Sequence, residues 1–596
     1  MRIPMRYMRQ TRPPASVGSV LVKANDPNSV EIRDALRARK GLIIKEALSC
    51  DEGGSDTVLP LRSFDVVSGS RWRGWMGIGS AVFRVYEGLN RRITQEITIG
   101  DEGLSINQST EYLDEVKTEK DGFKAEIKDE GPPWDDKNPH VLSVGDSFVF
   151  LEDNKHFGLY TYEGDSVRHS YFLTEGSDKG SRRNHKHKTR SRGETDNLTF
   201  IIGSRNSFIP LRLLMQPNGR DATIAFCNHA DLQRANLIKA VMMGASDEEH
   251  PAYGKKGFIP RGIRTSWSTF YFSEPNNPGF ADDADLLEIL QLMRDSGHHI
   301  LPHSTRNGPD TRQDLIDAMP HYETEFQSRE WIDHSLSDGA LSAGLSSKGW
   351  DSESEYYSMD LFENHGYEYA WAYRDWHFGL NEPNYSSYID FFVPSGMRYI
   401  DIMFPDVRFG FPNHLMYQNE SLAMPTAGPL WLYTTFRTPV GTFQSRVRKD
   451  SLSDLVDMCG VSLCHEYFAA SLQNGAYFDI LGGGDPNIDD CVIREAFDNV
   501  LVEIESLINE GRLWNPTIVE FGDYFRKLKQ IRITYSGGKK YILENNCEGP
   551  INGVTFLAQS HTAVPKVNGA TPNTKNVKRG IIFWFDLAPG TTEVTL

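Results

Sequence analysis

Beyond Pro210 the chain alternates apolar runs of about five residues with segments of helical period, the pattern of a parallel sheet wrapped by helices. TIAFCN, ending at Asn228, is the first predicted strand, and Leu232 to Met243 can form the helix after it. Asp282 to Ser296 places Leu286, Ile289, Leu290 and Met293 on one helical face, with acidic residues in its first turn and Gly297 as its stop. HILPH then reads as the second strand. YEYAWAY (Tyr367 to Tyr373), YIDIMF (Tyr399 to Phe404), LWLYTTF (Leu430 to Phe436) and VSLCHEYF (Val461 to Phe468) follow as further strands. The longest helix is predicted from about Asp489 to Glu510, with Ile493, Phe497, Val500, Ile504 and Ile508 in one stripe and Gly511 ending it. Together these elements predict a deformed barrel of seven or eight strands.

The flanks read differently. From about Val17 to Phe208, short apolar runs alternate with Gly, Asp and Asn turns, which suits antiparallel sheets; only Val30 to Arg39 has helical period. From about Ile531 the period of two returns in IRITYSGGKKYIL, GVTFLAQ and GIIFWFDL. The expected organisation is a multidomain α/β protein: a β-sandwich-like domain over 1–208, the barrel over 209–530 and a small β domain over 531–596.

Composition narrows the function. A formal net charge of −18 argues against a general nucleic-acid binder, which needs a basic surface to neutralise phosphates. The one basic cluster, RRNHKHKTRSR from Arg182 to Arg192, carries no interleaved aromatic residue and reads as a solvated loop. No apolar run is long enough to span a bilayer. The six cysteines show no CxxC spacing, so neither a zinc ribbon nor a dense disulfide framework is indicated. The N-terminal MRIPMRYMRQTRPP is basic but lacks the apolar core of an export signal, which leaves a cytoplasmic and a secreted or cell-envelope location both open. The Asn-x-Ser/Thr triplets at Asn107, Asn197, Asn384 and Asn419 bear on this only in a host that glycosylates secreted proteins.

Three polar groups fall at or just beyond the C-terminal ends of predicted strands, where barrel active sites are built: Asp231 after FCNHAD, His303 in GHHILPHSTRN and His465 in SLCHEYF. Read in that order, these motifs resemble those of the NodB-like polysaccharide deacetylases over roughly Thr223 to Lys529. GHHILPHS resembles the family's GHEIGNH(S/T), which ends in a metal-binding histidine. The resemblance implies a barrel of NodB type and a divalent metal, zinc foremost, held by Asp231 and His303. It also implies His465 as the proton donor to the leaving group. AFCNHAD departs from the family's TFDD, because Asn228 stands at the position of the catalytic base and an amide cannot take a proton. HSTRN departs from H(S/T)xxH, with Asn307 in place of the second histidine. REWIDHSLSDG resembles a WIDH motif of a divergent branch of these enzymes and offers His334 as the missing ligand. His229 and Asp333 are candidate substitute bases or structural groups near the motif residues, and Arg374 is a candidate for the family's arginine that holds the catalytic carboxylate, or a salt-bridge or substrate contact at the barrel rim. Trp371, Tyr373, Trp376 and Phe378 suit either a sugar-stacking wall or core packing.

The expected function is therefore a metal-dependent hydrolase that removes acyl groups, N- or O-acetyl first, from a polysaccharide. Two alternatives remain at this point. The losses at Asn228 and Asn307 fit a catalytically inactive carbohydrate-binding or assembly protein. The abundant Asp and Glu residues allow a glycosidase or lyase using paired carboxylates.

Overall fold

The computed structural model describes residues 209, 211–333, 341–345, 347–376, 393–394, 416–437, 441–457, 459–537, 539–558 and 560–596, with the strand backbones lying between 22 and 204. Those earlier strands pair into one antiparallel sheet of seven strands and another of five. The segment predicted helical from Val30 instead contributes Ser29–Arg33 to a strand, paired with Gly103–Tyr112.

The central unit is mixed α/β around a parallel sheet. Its elements are β1 (Ala222–Asn228), α1 (Ala235–Met243), β2 (Ser266–Thr269), α2 (Ala284–Asp295), β3 (His299–Pro302), α3 (Arg312–Phe326) and β4 (Glu330–Trp331). They continue with β5 (Tyr369–Trp376), β6 (Gly428–Arg437), β7 (Gly460–Glu466), α4 (Glu495–Asn509), β8 (Leu513–Trp514) and α5 (Ile518–Leu528). Among the described residues seven strands run parallel in the order β3-β2-β1-β7-β6-β5-β4, and β8 pairs parallel with the start of β1 off that path. The two terminal strands of that order meet beyond their ends. His303 and Ile332 form a parallel bridge, with Ile332 N donating to Pro302 O at 3.0 Å and Ser304 N to Ile332 O at 2.7 Å.

Strand periodicity accounts for two apolar layers. Along β1, Ile224 and Phe226 join the cluster made with Leu237, Val241, Leu286 and Leu290 of α1 and α2, whereas Ala225 and Cys227 join the cluster on the opposite face. Both faces of β1 are therefore buried, as a parallel strand covered by helices requires. α2 buries Leu286, Ile289, Leu290 and Met293, is capped by the Asp283 side chain on Leu286 N, and is followed by Gly297 at φ +87°.

Several predicted bounds shift for local reasons. α1 starts at Ala235 rather than Leu232, because Leu232 sits at φ +58° and Gln233 turns inward to bond Ser268 O and the Trp267 indole. α4 starts at Glu495 because Cys491–Ile493 pairs with Phe478–Ile480 as a short strand. β2 was not anticipated, so HILPH is the third strand of the chain's parallel series. YIDIMF lies outside the described residues.

The C-terminal segment forms two four-stranded antiparallel arrangements. Leu211–Leu213 pairs with Ile551–Ala558, so the residues that open the predicted barrel segment belong to a C-terminal sheet. Among the described residues no helix is long and apolar enough to cross a membrane.

α5 lies against the sheet at Gly522, where a methyl group would overlap the Tyr369 ring and crowd Met416. Gly522→Ala should therefore destabilise the protein by about 1–3 kcal/mol, because the overlap outweighs the roughly 1 kcal/mol gained in helix propensity. A urea midpoint equal to or above wild type would show that the contact yields.

Candidate metal centre

The parallel strands end together, and the residues just past their C-terminal edges converge. β1 leaves the sheet at Asn228 and is followed by His229 and Asp231; β3 is followed by His303; His465 is the penultimate residue of β7. His229, Asp231 and His303 each present one potential ligand atom, all within 4.8 Å of one another. His303 Nε2 lies 3.6 Å from Asp231 Oδ2. A tetrahedral ion with bonds of 2.0–2.1 Å sets its ligand atoms roughly 3.3 Å apart, so this group is close to the required spacing. Two imidazoles and one carboxylate also suit zinc and neighbouring first-row divalent ions. The histidines are 2% and 1% exposed, whereas the Asp231 side chain is 28% exposed, so the trio opens to solvent on the Asp231 side.

His465 is brought to the same place. Its ring stacks on His229 with centroids 3.5 Å apart and planes 16° from parallel. The Trp371 ring from β5 lies nearly perpendicular to both, with centroids 4.5 Å from His229 and 5.1 Å from His465, and its indole N–H donates to Thr435 Oγ1 at 2.9 Å. Of the four aromatic residues read from sequence as either a sugar-stacking wall or core packing, Trp371 is thus beside the histidine pair. The side chains of Tyr373 and Trp376, and all of Phe378, lie outside the described residues.

His303 is held from behind. Its Nδ1 is 2.9 Å from Ser268 Oγ, and that hydroxyl lies 2.8 Å from the Asn228 carbonyl oxygen. The backbone N–H of Ala230 donates to the same ring nitrogen at 3.3 Å.

The remaining candidates fall as follows. His229, first read as a substitute base, stands among the potential ligands, two residues before Asp231. Asn228 is fully buried and serves as a tie: Phe468 N donates to its Oδ1 at 2.8 Å, and its Nδ2 donates to His229 O at 3.1 Å. Asp333 is buried and accepts from Ser304 Oγ at 3.3 Å. Asn307 is half-buried in the loop after β3. His334 lies outside the described residues, and Arg374 is placed in β5 by its backbone alone. Ser268 gave no signal in the sequence, since the strand that carries it was not recognised.

Deeper between the strands, Glu330 is fully buried and accepts from Ser266 Oγ at 2.9 Å and from the Tyr433 hydroxyl at 2.5 Å. Tyr433 in turn meets Cys227 Sγ at 3.3 Å. Burial pushes the Glu330 carboxyl up to about 7, against the effect of its two hydroxyl donors. Burial pushes the neighbouring His299, 3.9 Å away, down to about 4. A carboxyl raised on folding contributes stability that is complete below its ordinary value near 4.5 and is lost as pH rises through about 7. His299 acts oppositely, its contribution being present above about 6.5 and lost as pH falls through about 4. Glu330→Gln removes the first contribution alone. Relative to wild type, it should gain stability on the order of 3 kcal/mol as pH rises from about 4.5 to about 7. Parallel urea-midpoint profiles for the two proteins over that range would refute the assignment.

Comparison with known proteins returns no matching family model and no matching curated protein.

Proposed function

We propose that this protein is a metal-dependent hydrolase that removes acyl groups from a polysaccharide, with a barrel of NodB type and an N-terminal β-sandwich-like domain. The observation that carries the reading is the trio His229, Asp231 and His303, with His465 stacked beside it at the C-terminal edge of a parallel sheet. A divalent ion held there would polarise an acyl carbonyl and acidify a water molecule. The protein's own groups supply the rest. On this reading His465 gives a proton to the departing amine or alcohol. Three residues past Asp231, a polar cleft of about 400 Å³ begins at Arg234 and is lined further by Asn236, Glu274, Asp283 and Asn487. Such a lining suits a hydroxyl-rich ligand.

Asn228 supports a second reading, a carbohydrate-binding protein without turnover, because its amide is committed to Phe468 and His229 and is no base. The two readings part on one pair of measurements: metal content of the purified protein, and acetate released from N- or O-acetylated polysaccharides. Metal with acetate release supports the hydrolase; metal without release on any acetylated polymer supports the binding protein; absence of metal after reconstitution removes the hydrolase. Under the hydrolase reading, His465→Ala should keep its metal and lose about 10²- to 10⁴-fold in kcat. Loss of metal in that variant would instead make His465 a ligand.

A further inference from the structure

The ends of β1 and β7 part at Asn228. Asn228 pairs with Glu466, and His229 N donates to Glu466 O at 2.8 Å, which carries the ladder one residue past β1. In that register an unbroken parallel ladder would next take Phe468 N to His229 O. Instead the Asn228 side chain stands between those two groups. Phe468 N donates to its Oδ1 at 2.8 Å, and its Nδ2 donates to His229 O at 3.1 Å. The amide is thus inserted in series, like an added peptide unit, where the two backbones would otherwise meet. Its orientation follows from its partners, because a backbone N–H only donates and a carbonyl oxygen only accepts.

This insertion sets how far the two strand ends spread, and each end carries an imidazole. His465 directly precedes Glu466, and its ring stacks on that of His229 at 3.5 Å with planes 16° apart. We propose that Asn228 is a positioning residue whose inserted amide holds the His229 and His465 rings in their stack and so presents His229 to a metal ion; the metal half of this statement rests on the function proposed above. Both ends of the amide are needed. Asp at this position would keep an acceptor for Phe468 N but turn a second carboxylate oxygen toward His229 O, setting acceptor against acceptor. Asn228 is fully buried, so water is not at hand to bridge the two oxygens. The position matched to the family's base is therefore built for an amide. A carboxylate there would disturb the residue that follows it.

The test uses metal-free protein labelled with ¹³C and ¹⁵N at histidine, the two rings being assigned by loss of signals in His229→Gln and His465→Gln. In wild type both Cε1–H signals should be displaced from free imidazole by the ring currents of the stack. Asn228→Asp, which loses the donor alone, and Asn228→Leu, which loses donor and acceptor, should both move these signals toward free imidazole. Both should also weaken zinc binding about 10- to 100-fold in competition with a chelator, as loss of an orienting partner does. Wild-type ring signals in folded Asn228→Asp overturn the proposal, since an acceptor alone would then suffice; acetate release above wild type in that variant overturns it too, by making position 228 a base site. Should neither variant fold, wild type decides: ring signals at free-imidazole positions, or an Asn228 side-chain amide exchanging as fast as an exposed asparagine, overturn the inserted amide, and displaced signals with slow exchange support it. Zinc binding by wild type is scored separately: its absence, beside displaced ring signals, overturns the metal reading and leaves the role of Asn228 in holding the histidine pair standing.

Discussion

Asp231→Ala should lower the zinc content of the reconstituted protein from about one ion per chain to background, an affinity loss exceeding the 10- to 100-fold typical of outer-shell substitutions. Asp231 supplies the carboxylate of the trio and its side chain is partly exposed, so its removal should leave the circular dichroism spectrum unchanged. His303→Ala and His229→Ala should lose metal to the same degree. The His229 variant is the most informative of the three. As a ligand, His229 takes the ion with it; as a base, it would leave the ion in place and abolish turnover alone. Plasma mass spectrometry after extensive dialysis separates these outcomes, and retention of stoichiometric metal by Asp231→Ala would sink the site as drawn.

Trp267→Ala should cost about 3–5 kcal/mol of stability. Trp267 is fully buried in β2, its ring lies 6.5 Å from and nearly parallel to that of Phe468, and its indole N–H donates to Gln233 Oε1 at 3.0 Å. The substitution removes the largest side chain of that strand and also strips a buried amide of a partner. Trp267→Phe separates the two effects. It keeps most of the ring volume, so its loss should fall to about 1–3 kcal/mol, the range for an orphaned buried polar group. Urea midpoints for both variants measure the difference, and near-identical midpoints would mean that packing contributes little at this position.

How far the sequence disclosed this architecture depended on where each element found its partners. α2 was legible almost to the residue because its four buried side chains, acidic first turn and terminal glycine are all local signals. β1 and β7 were legible because each carries a short apolar stretch, Ile224 to Cys227 and Val461 to Cys464 broken only by Ser462, as suits strands buried on two faces. β2 escaped because SWST carries three hydroxyls, and hydropathy counts these as surface residues. The acceptors of the two serines come from elsewhere: Glu330 takes the proton of Ser266, and the Asn228 carbonyl lies 2.8 Å from the Ser268 hydroxyl. Only the fold brings them together. The site followed the same division. Asp231, His303 and His465 stood out at strand ends, but the part of His229 could not be read from spacing, because its selection among the ligand atoms depends on how the chain turns between Asn228 and Asp231. Ser268 was invisible along with its strand.

The pairing of Leu211–Leu213 with Ile551–Ala558 fastens the chain on either side of the parallel sheet into one seam. The apolar cluster behind it is continuous, running from Ala225 and Leu463 through Ile518 and Phe525 to Phe556 and Val594. Cutting the chain near Ile531 would therefore not release an autonomous α/β module. It would strip the remainder of a shared foundation, expose a row of unpaired backbone groups along Leu211–Leu213, and invite aggregation. The C-terminal strands are better viewed as a keystone than as an appended cargo-binding unit. Calorimetry should accordingly record the melting of 209–596 as a single cooperative event, with no separate transition for the C-terminal sheets.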